Sequence, residues 1–151
     1  MKINLEVNNT IKSPIEDIFF VHVAEKTFAN LEDDFFGDRE INISLALVAK
    51  DEIQKFNNEY RKYDSVTDVL SFAEYESEDE LKSAIKNNQE VFLGELILCY
   101  DDIMEYAEKE QLNFEKELAK VVSHGILHII GFSHGEKMFA LQEKVSDIFL
   151  S

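Results

Sequence analysis

The sequence predicts a single α+β domain over residues 1–151, with a small mixed sheet packed against helices. Three observations predict it. Four short segments carry strand patterning, segments with helical apolar spacing lie between them, and no repeat, low-complexity tract or linker divides the chain. With 45% hydrophobic and 11% aromatic residues there is enough apolar material for one core.

The elements follow in order. Ile3, Leu5 and Val7 alternate with Lys2, Asn4 and Glu6, the pattern of a half-buried strand. Ser13-Pro14-Ile15-Glu16 combines a capping hydroxyl, an early proline and a glutamate that can reach back, so a helix is expected from there to about Asn30. Residues 32–40 are acidic with Gly37 and read as a loop, after which Ile41, Ile43, Leu45 and Leu47 alternate as a second strand. Asp51 is expected to cap a helix running to about Tyr60.

Residues 61–68 have no apolar period and lead as a polar loop into the strand Val69-Leu70-Ser71-Phe72. Thr67 and Asp68 read as punctuation, their side chains bonding backbone. Glu74 to Glu80 holds five acids and reads as a solvated connector. Residues 91–100 give a further strand, and Asp101 or Asp102 can cap a short helix. Phe114, Leu118, Val121, Val122, Gly125 and Ile129 form a helical stripe, and Phe139, Leu141, Val145, Ile148 and Phe149 mark a closing amphipathic helix.

Composition excludes several classes. The start lacks the basic region and continuous apolar block of an export signal, and no apolar stretch approaches the roughly 18 residues that span a bilayer, so a soluble cytoplasmic protein is expected. Cys99, the sole cysteine, reads as a buried strand thiol. Fifteen basic against 31 acidic side chains give a net charge of −16, which repels phosphate backbones and argues against non-specific nucleic-acid binding; no DNA is expected.

Three of the four histidines fall in the run HGILHIIGFSH, as His124, His128 and His134. Positions 124 and 128 share one helix face, and Gly131 is suited to end that helix in a left-handed conformation and bring His134 back toward the pair. Three imidazoles with nothing obvious in the fourth place describe an open, catalytic zinc site, one ion per chain, on a C-terminal helix and the turn after it. Zinc there would make hydroxide available near neutral pH. His22, alone on the first helix, reads as an ordinary partly buried residue. The spacing matches the HxxxHxxGxxH skeleton of zinc peptidases, but those place glutamate after the first histidine, where this chain has Gly125. The usual peptidase base is therefore missing.

The run HGILHIIGFSH, together with Phe56-Asn57-Asn58-Glu59-Tyr60-Arg61, Thr67-Asp68-Val69-Leu70-Ser71-Phe72 and Leu93-Gly94-Glu95-Leu96-Ile97, resembles the YbeY endoribonucleases. The resemblance covers most of the chain in the right order. It departs at Ser133 and Glu95, where the family usually has aspartate, and Ser133 brings no charge for a carboxylate role beside the metal. It implies a zincin-like fold, metal binding at His124, His128 and His134, and a functionally important arginine at Arg61. An arginine stays charged and grips phosphate oxygens with parallel hydrogen bonds, which suits that role.

The implied activity is zinc-dependent, single-strand-specific RNA cleavage in ribosomal RNA maturation, at the 16S rRNA 3′ end, and in ribosome quality control. Implied partners are ribosomal RNA, a small-subunit ribosomal protein and an Era-type GTPase. Residues 50–62 carry Lys50, Lys55, Arg61 and Lys62 against Asp51, Glu52 and Glu59, a local +1 that can touch phosphate weakly, so delivery to RNA by a basic partner is expected. Two rivals stand beside this reading: a zinc hydrolase of another substrate such as peptide, and a non-catalytic assembly factor whose zinc stabilises the fold.

Overall fold

The computed structural model describes residues 1–32, 35–131 and 135–149. Its elements run β1 (Lys2–Asn9), α1 (Asp17–Ala29), β2 (Glu40–Val48), α2 (Lys50–Arg61), β3 (Val69–Ala73), α3 (Glu78–Asn87), β4 (Glu90–Cys99), α4 (Tyr100–Lys109), α5 (Phe114–Ile129) and α6 (Glu136–Asp147). This is the α+β architecture expected, with a mixed sheet in the order β1-β2-β4-β3. β1, β2 and β4 are parallel, and β3 runs antiparallel along β4 at the sheet edge.

The two faces of the sheet are covered unequally. Ile41, Ile43, Leu45, Leu47, Leu96 and Leu98 face the main core, which Phe20 and Val23 of α1 and Leu118, Val122 and Ile126 of α5 complete. On the other face Val48, Leu70, Ile97 and Cys99 close over Ile53 of α2. The alternation in β2 and β4 is thus fully used, one set of side chains per face.

Several element starts differ from expectation. α1 begins at Asp17, one turn after Ser13, because Asn9 captures that stretch: its Oδ1 accepts from Ser13 N at 2.9 Å and its Nδ2 donates to Ser13 O at 3.0 Å. Ala49 occupies the cap position of α2 and Cys99 that of α4, so Asp51, Asp101 and Asp102 lie in first turns, where a carboxylate still favours the positive end of the helix. The acidic connector is in part a helix start: Ser77 Oγ accepts from Glu80 N at 3.1 Å, and Leu81 and Ile85, four apart, are buried. On α6 the buried residues are Met138, Gln142, Val145 and Ser146, while Phe139 is exposed, so the helix is rotated from its expected apolar face.

Gly94 shows why the sheet closes as it does. β2 and β4 slip register between Asn42 and Ile43, and Gly94, at φ +151°, lies so near β3 that a Cβ there would stand 2.2 Å from Phe72 O. Only glycine lets the bulged strand and its edge partner approach this closely.

Cys99 is fully buried, as expected, and burial pushes its thiol up from its usual range. The native protein should therefore resist thiol alkylation at neutral pH and label only with denaturant present. Rapid labelling in plain buffer would show that the β4–α4 junction opens in the native state.

Candidate active site

The site is built where α5 crosses β3. Asn113 caps α5, its Oδ1 accepting from Lys116 N at 2.9 Å, and the helix runs to Ile129, with Gly131 beyond it at the positive φ expected, +102°. His124 and His128 are one turn apart, with ring centroids 4.6 Å apart and planes at 82°. Both line a cleft of about 510 Å³ together with Arg61, Asp68, Ser71 and Ala73. His134 and Ser133 lie outside the described residues. His22 is exposed on α1 and does not line this cleft.

Gly125 sets how deep the helix sits. A Cβ at this position would stand 2.6 Å from Leu96 Cδ2 and 3.3 Å from Ser71 Oγ. Leu96 and Ser71 are register partners, so their side chains lie on the same face of the β3–β4 pair, the face that α5 covers. The residue after the first histidine is glycine because the helix backbone itself meets the sheet there. A glutamate acting as base would need room that Leu96 occupies.

Arg61 reaches the cleft from the opposite face of the sheet. α2 stops directly after it: Lys62 takes a left-handed conformation and its N donates to Asn58 O, the left-handed type of helix end, with Tyr63 N donating further back to Asn57 O. Asp68 O accepts from Cys99 N and Glu74 N donates to Leu93 O, so the alternate backbone groups of β3, including Ser71 O, point away from β4. Arg61 Nη2 donates to that outward Ser71 O at 2.6 Å, and its guanidinium lies 4.9 Å from the Phe72 ring centroid, with Tyr60 edge-on to the same ring. An exposed arginine is thereby fixed at the mouth of the histidine cleft.

Asp68, taken from sequence as punctuation, stabilises β3 through its main-chain oxygen, while its side chain borders the cleft and accepts from Thr67 Oγ1 at 3.4 Å. It also borders an adjoining cavity of about 570 Å³ that shares Val69 and His124 and is walled by Asp102, Tyr106, Lys120, Phe139 and Gln142. Burial, with Asp68 nearby, pushes the Asp102 carboxyl up from its ordinary value. Burial works to lower Lys120, but Glu143 and Glu117 outweigh it and hold the ammonium above its usual range.

Part of the positive patch of residues 50–62 is held within the protein. Lys50 pairs with Glu105, and Lys62 Nζ donates to Glu59 O at 3.2 Å. Arg61 is left as the cation aimed at the cleft.

Among the described residues no group of three or more His, Cys, Asp or Glu side chains forms a metal cage. The described donors do fit an imidazole-held metal in kind: two histidines one turn apart on one helix, one of them bonded at Nδ1 to Gln142 Oε1 at 2.8 Å. The linear pattern does not mark Gln142, because the face of α6 that is buried, Met138, Gln142, Val145 and Ser146, is not the Phe139 and Leu141 face the sequence suggests.

An α+β domain with a histidine pair and an arginine on one cleft between a helix and an edge strand has the architecture of a small hydrolase. Residues 6–149 match the family model described as Endoribonuclease YbeY, and the chain belongs to that family. It is 36% identical over 126 residues to the Endoribonuclease YbeY of Staphylococcus carnosus, covering 80% of this chain and 79% of that one. The Pediococcus pentosaceus protein of the same name is 33% identical over 147 residues, covering 86% and 94%. The solution structure of a Thermotoga maritima protein superposes with a TM-score of 0.62 at 28% identity, over 96% of this chain and 87% of that one.

Gly125→Ala should lower stability by about 1–3 kcal/mol, because Leu96 is fully buried and cannot yield. Urea unfolding of the variant beside the wild type measures it. An unchanged midpoint would show that α5 is not seated on β4 at this residue.

Proposed function

We propose that this protein is a zinc-dependent endoribonuclease that cuts single-stranded RNA, acting in the cytoplasm on ribosomal RNA, including the 16S rRNA 3′ end, and in ribosome quality control. The observation that carries the reading is the shared cleft of His124, His128 and Arg61 in a member of the Endoribonuclease YbeY family. His124, His128 and His134 hold the metal. When bound, zinc supplies Lewis-acid activation of water near neutral pH.

The remaining work falls to this chain's own side chains. Arg61 engages non-bridging phosphate oxygens with N–H donors other than the one Ser71 O accepts, and stabilises charge that builds on them during cleavage. Its stacking on Phe72 limits the motion of the guanidinium, so little ordering is required when substrate arrives. Peptide hydrolysis is disfavoured because the position of the usual glutamate base is Gly125, pressed on Leu96.

With a net charge of −16 and a balance of only +1 over residues 50–62, where Lys50 is paired with Glu105, the protein has few phosphate contacts to offer. Tight binding of naked RNA needs several such contacts, so delivery falls to a basic partner, a small-subunit ribosomal protein, with an Era-type GTPase in the same assembly.

Arg61→Ala should reduce kcat on a short single-stranded RNA by roughly 100- to 1,000-fold while leaving zinc content and thermal unfolding unchanged. Arg61→Lys should recover little, because a point charge lacks the paired grip. Single-turnover cleavage with metal analysis on the same samples decides it. Wild-type rates in the alanine variant would reduce Arg61 to a cap on the β3 edge, and a rate loss accompanied by zinc loss would place its role in the fold.

A further inference from the structure

Gln142 is a buried amide on the helix face it shares with Met138, Val145 and Ser146, and its Oε1 lies 2.8 Å from His124 Nδ1. A buried polar group on such a face is costly unless it is bonded, and this bond runs to a histidine of the cleft. We propose that Gln142 is the positioning residue of the site: it selects the Nδ1-protonated tautomer of His124 and so presents Nε2 as the metal-binding nitrogen. The proposal rests on the metal reading given above and deepens it.

The chemistry follows from the acceptor. An amide oxygen can only accept, so the ring nitrogen facing it carries the proton and the other ring nitrogen carries the lone pair. A neutral imidazole in water favours the opposite arrangement, with the proton on Nε2, where it would block coordination. Gln142 reverses that preference before any metal arrives. Because the acceptor is neutral, it orients the ring without adding a further negative charge beside Asp68 and Asp102, which already border the same cavity.

The position of Gln142 is itself held. Along the antiparallel contact of α5 with α6, Lys116 pairs with Asp147 at 2.9 Å and, one turn on, Lys120 pairs with Glu143 at 2.7 Å. His124 stands one further turn along α5, and Gln142 is the neighbour of Glu143. Lys120 also reaches Glu117 Oε1 at 3.4 Å, which keeps its ammonium low on α5. The ion pairs fix the axial register of α6, and the amide then meets the imidazole at the next step.

The test uses nitrogen NMR of the histidine rings in metal-free full-length protein, followed by titration with Zn2+ alone against a competing chelator. Wild-type His124 should be protonated at Nδ1. Gln142→Met, close in volume and without an acceptor, should shift His124 toward Nε2 protonation and weaken zinc binding by about 10- to 100-fold. Gln142→Glu, which keeps the acceptor, should restore both. A wild-type ring protonated at Nε2, or a methionine variant with unchanged tautomer and affinity, would overturn the proposal. Failure of the wild-type protein to bind zinc would overturn the metal reading itself, and the tautomer measurement tells the two failures apart.

Discussion

The close approach of α5 to the β3–β4 edge, possible only because residue 125 has no side chain, governs the geometry of the whole cleft. Leu96 Cδ2 and Ser71 Oγ occupy the volume a Cβ would need. With the helix seated this low, His124 and His128, on either side of Gly125 in sequence, flank the edge strand where Ser71 turns its carbonyl outward. That carbonyl holds Arg61, which arrives from the opposite face of the sheet. One packing contact therefore joins residues from α2, β3 and α5 into a single site. The second glycine of this region, Gly94, serves the same end by letting β3 and β4 close on one another.

Electrostatics refine what packing establishes. Acidic residues dominate the chain, yet many of them have local tasks: Glu78, Asp79 and Glu80 sit in the first turn of α3, and Glu143 and Asp147 tie α6 to the lysines of α5. Isolated exposed ion pairs contribute little, but these run in series along one helix contact and fix its register. Around the cleft the balance is different. Asp68 and Asp102 stand near the histidines and Arg61 supplies the positive charge at the mouth, a distribution that favours a cation at the centre and a phosphate at the rim.

Much of this was legible in the sequence. The period-two runs in β1 and β2, the stripe of α5 and the four-residue spacing of His124 and His128 are strong signals because each repeats a geometric period several times over or pairs rare residue types. The helix starts were less legible. Asn9 reaching forward to Ser13 displaced the start of α1, and the Ser77 cap lay inside an acidic run whose charge concealed the Leu81 and Ile85 pair. Gln142 and the Ser71 carbonyl were invisible for another reason: their importance arises from register across the sheet and between α5 and α6, and a linear pattern does not encode that. His134, the third histidine of the sequence motif, lies outside the described residues, so its part in the site rests on the motif.

The proposed site holds one zinc ion through His124, His128 and His134 together. X-ray absorption at the zinc edge, on protein loaded with one equivalent, tests it most directly. The account predicts nitrogen scatterers at about 2.0–2.1 Å with the outer-shell pattern of three imidazoles, reduced to two when His134 is replaced by alanine. A first shell containing sulfur, a shell without imidazole scattering, or failure to retain the equivalent of zinc would contradict it.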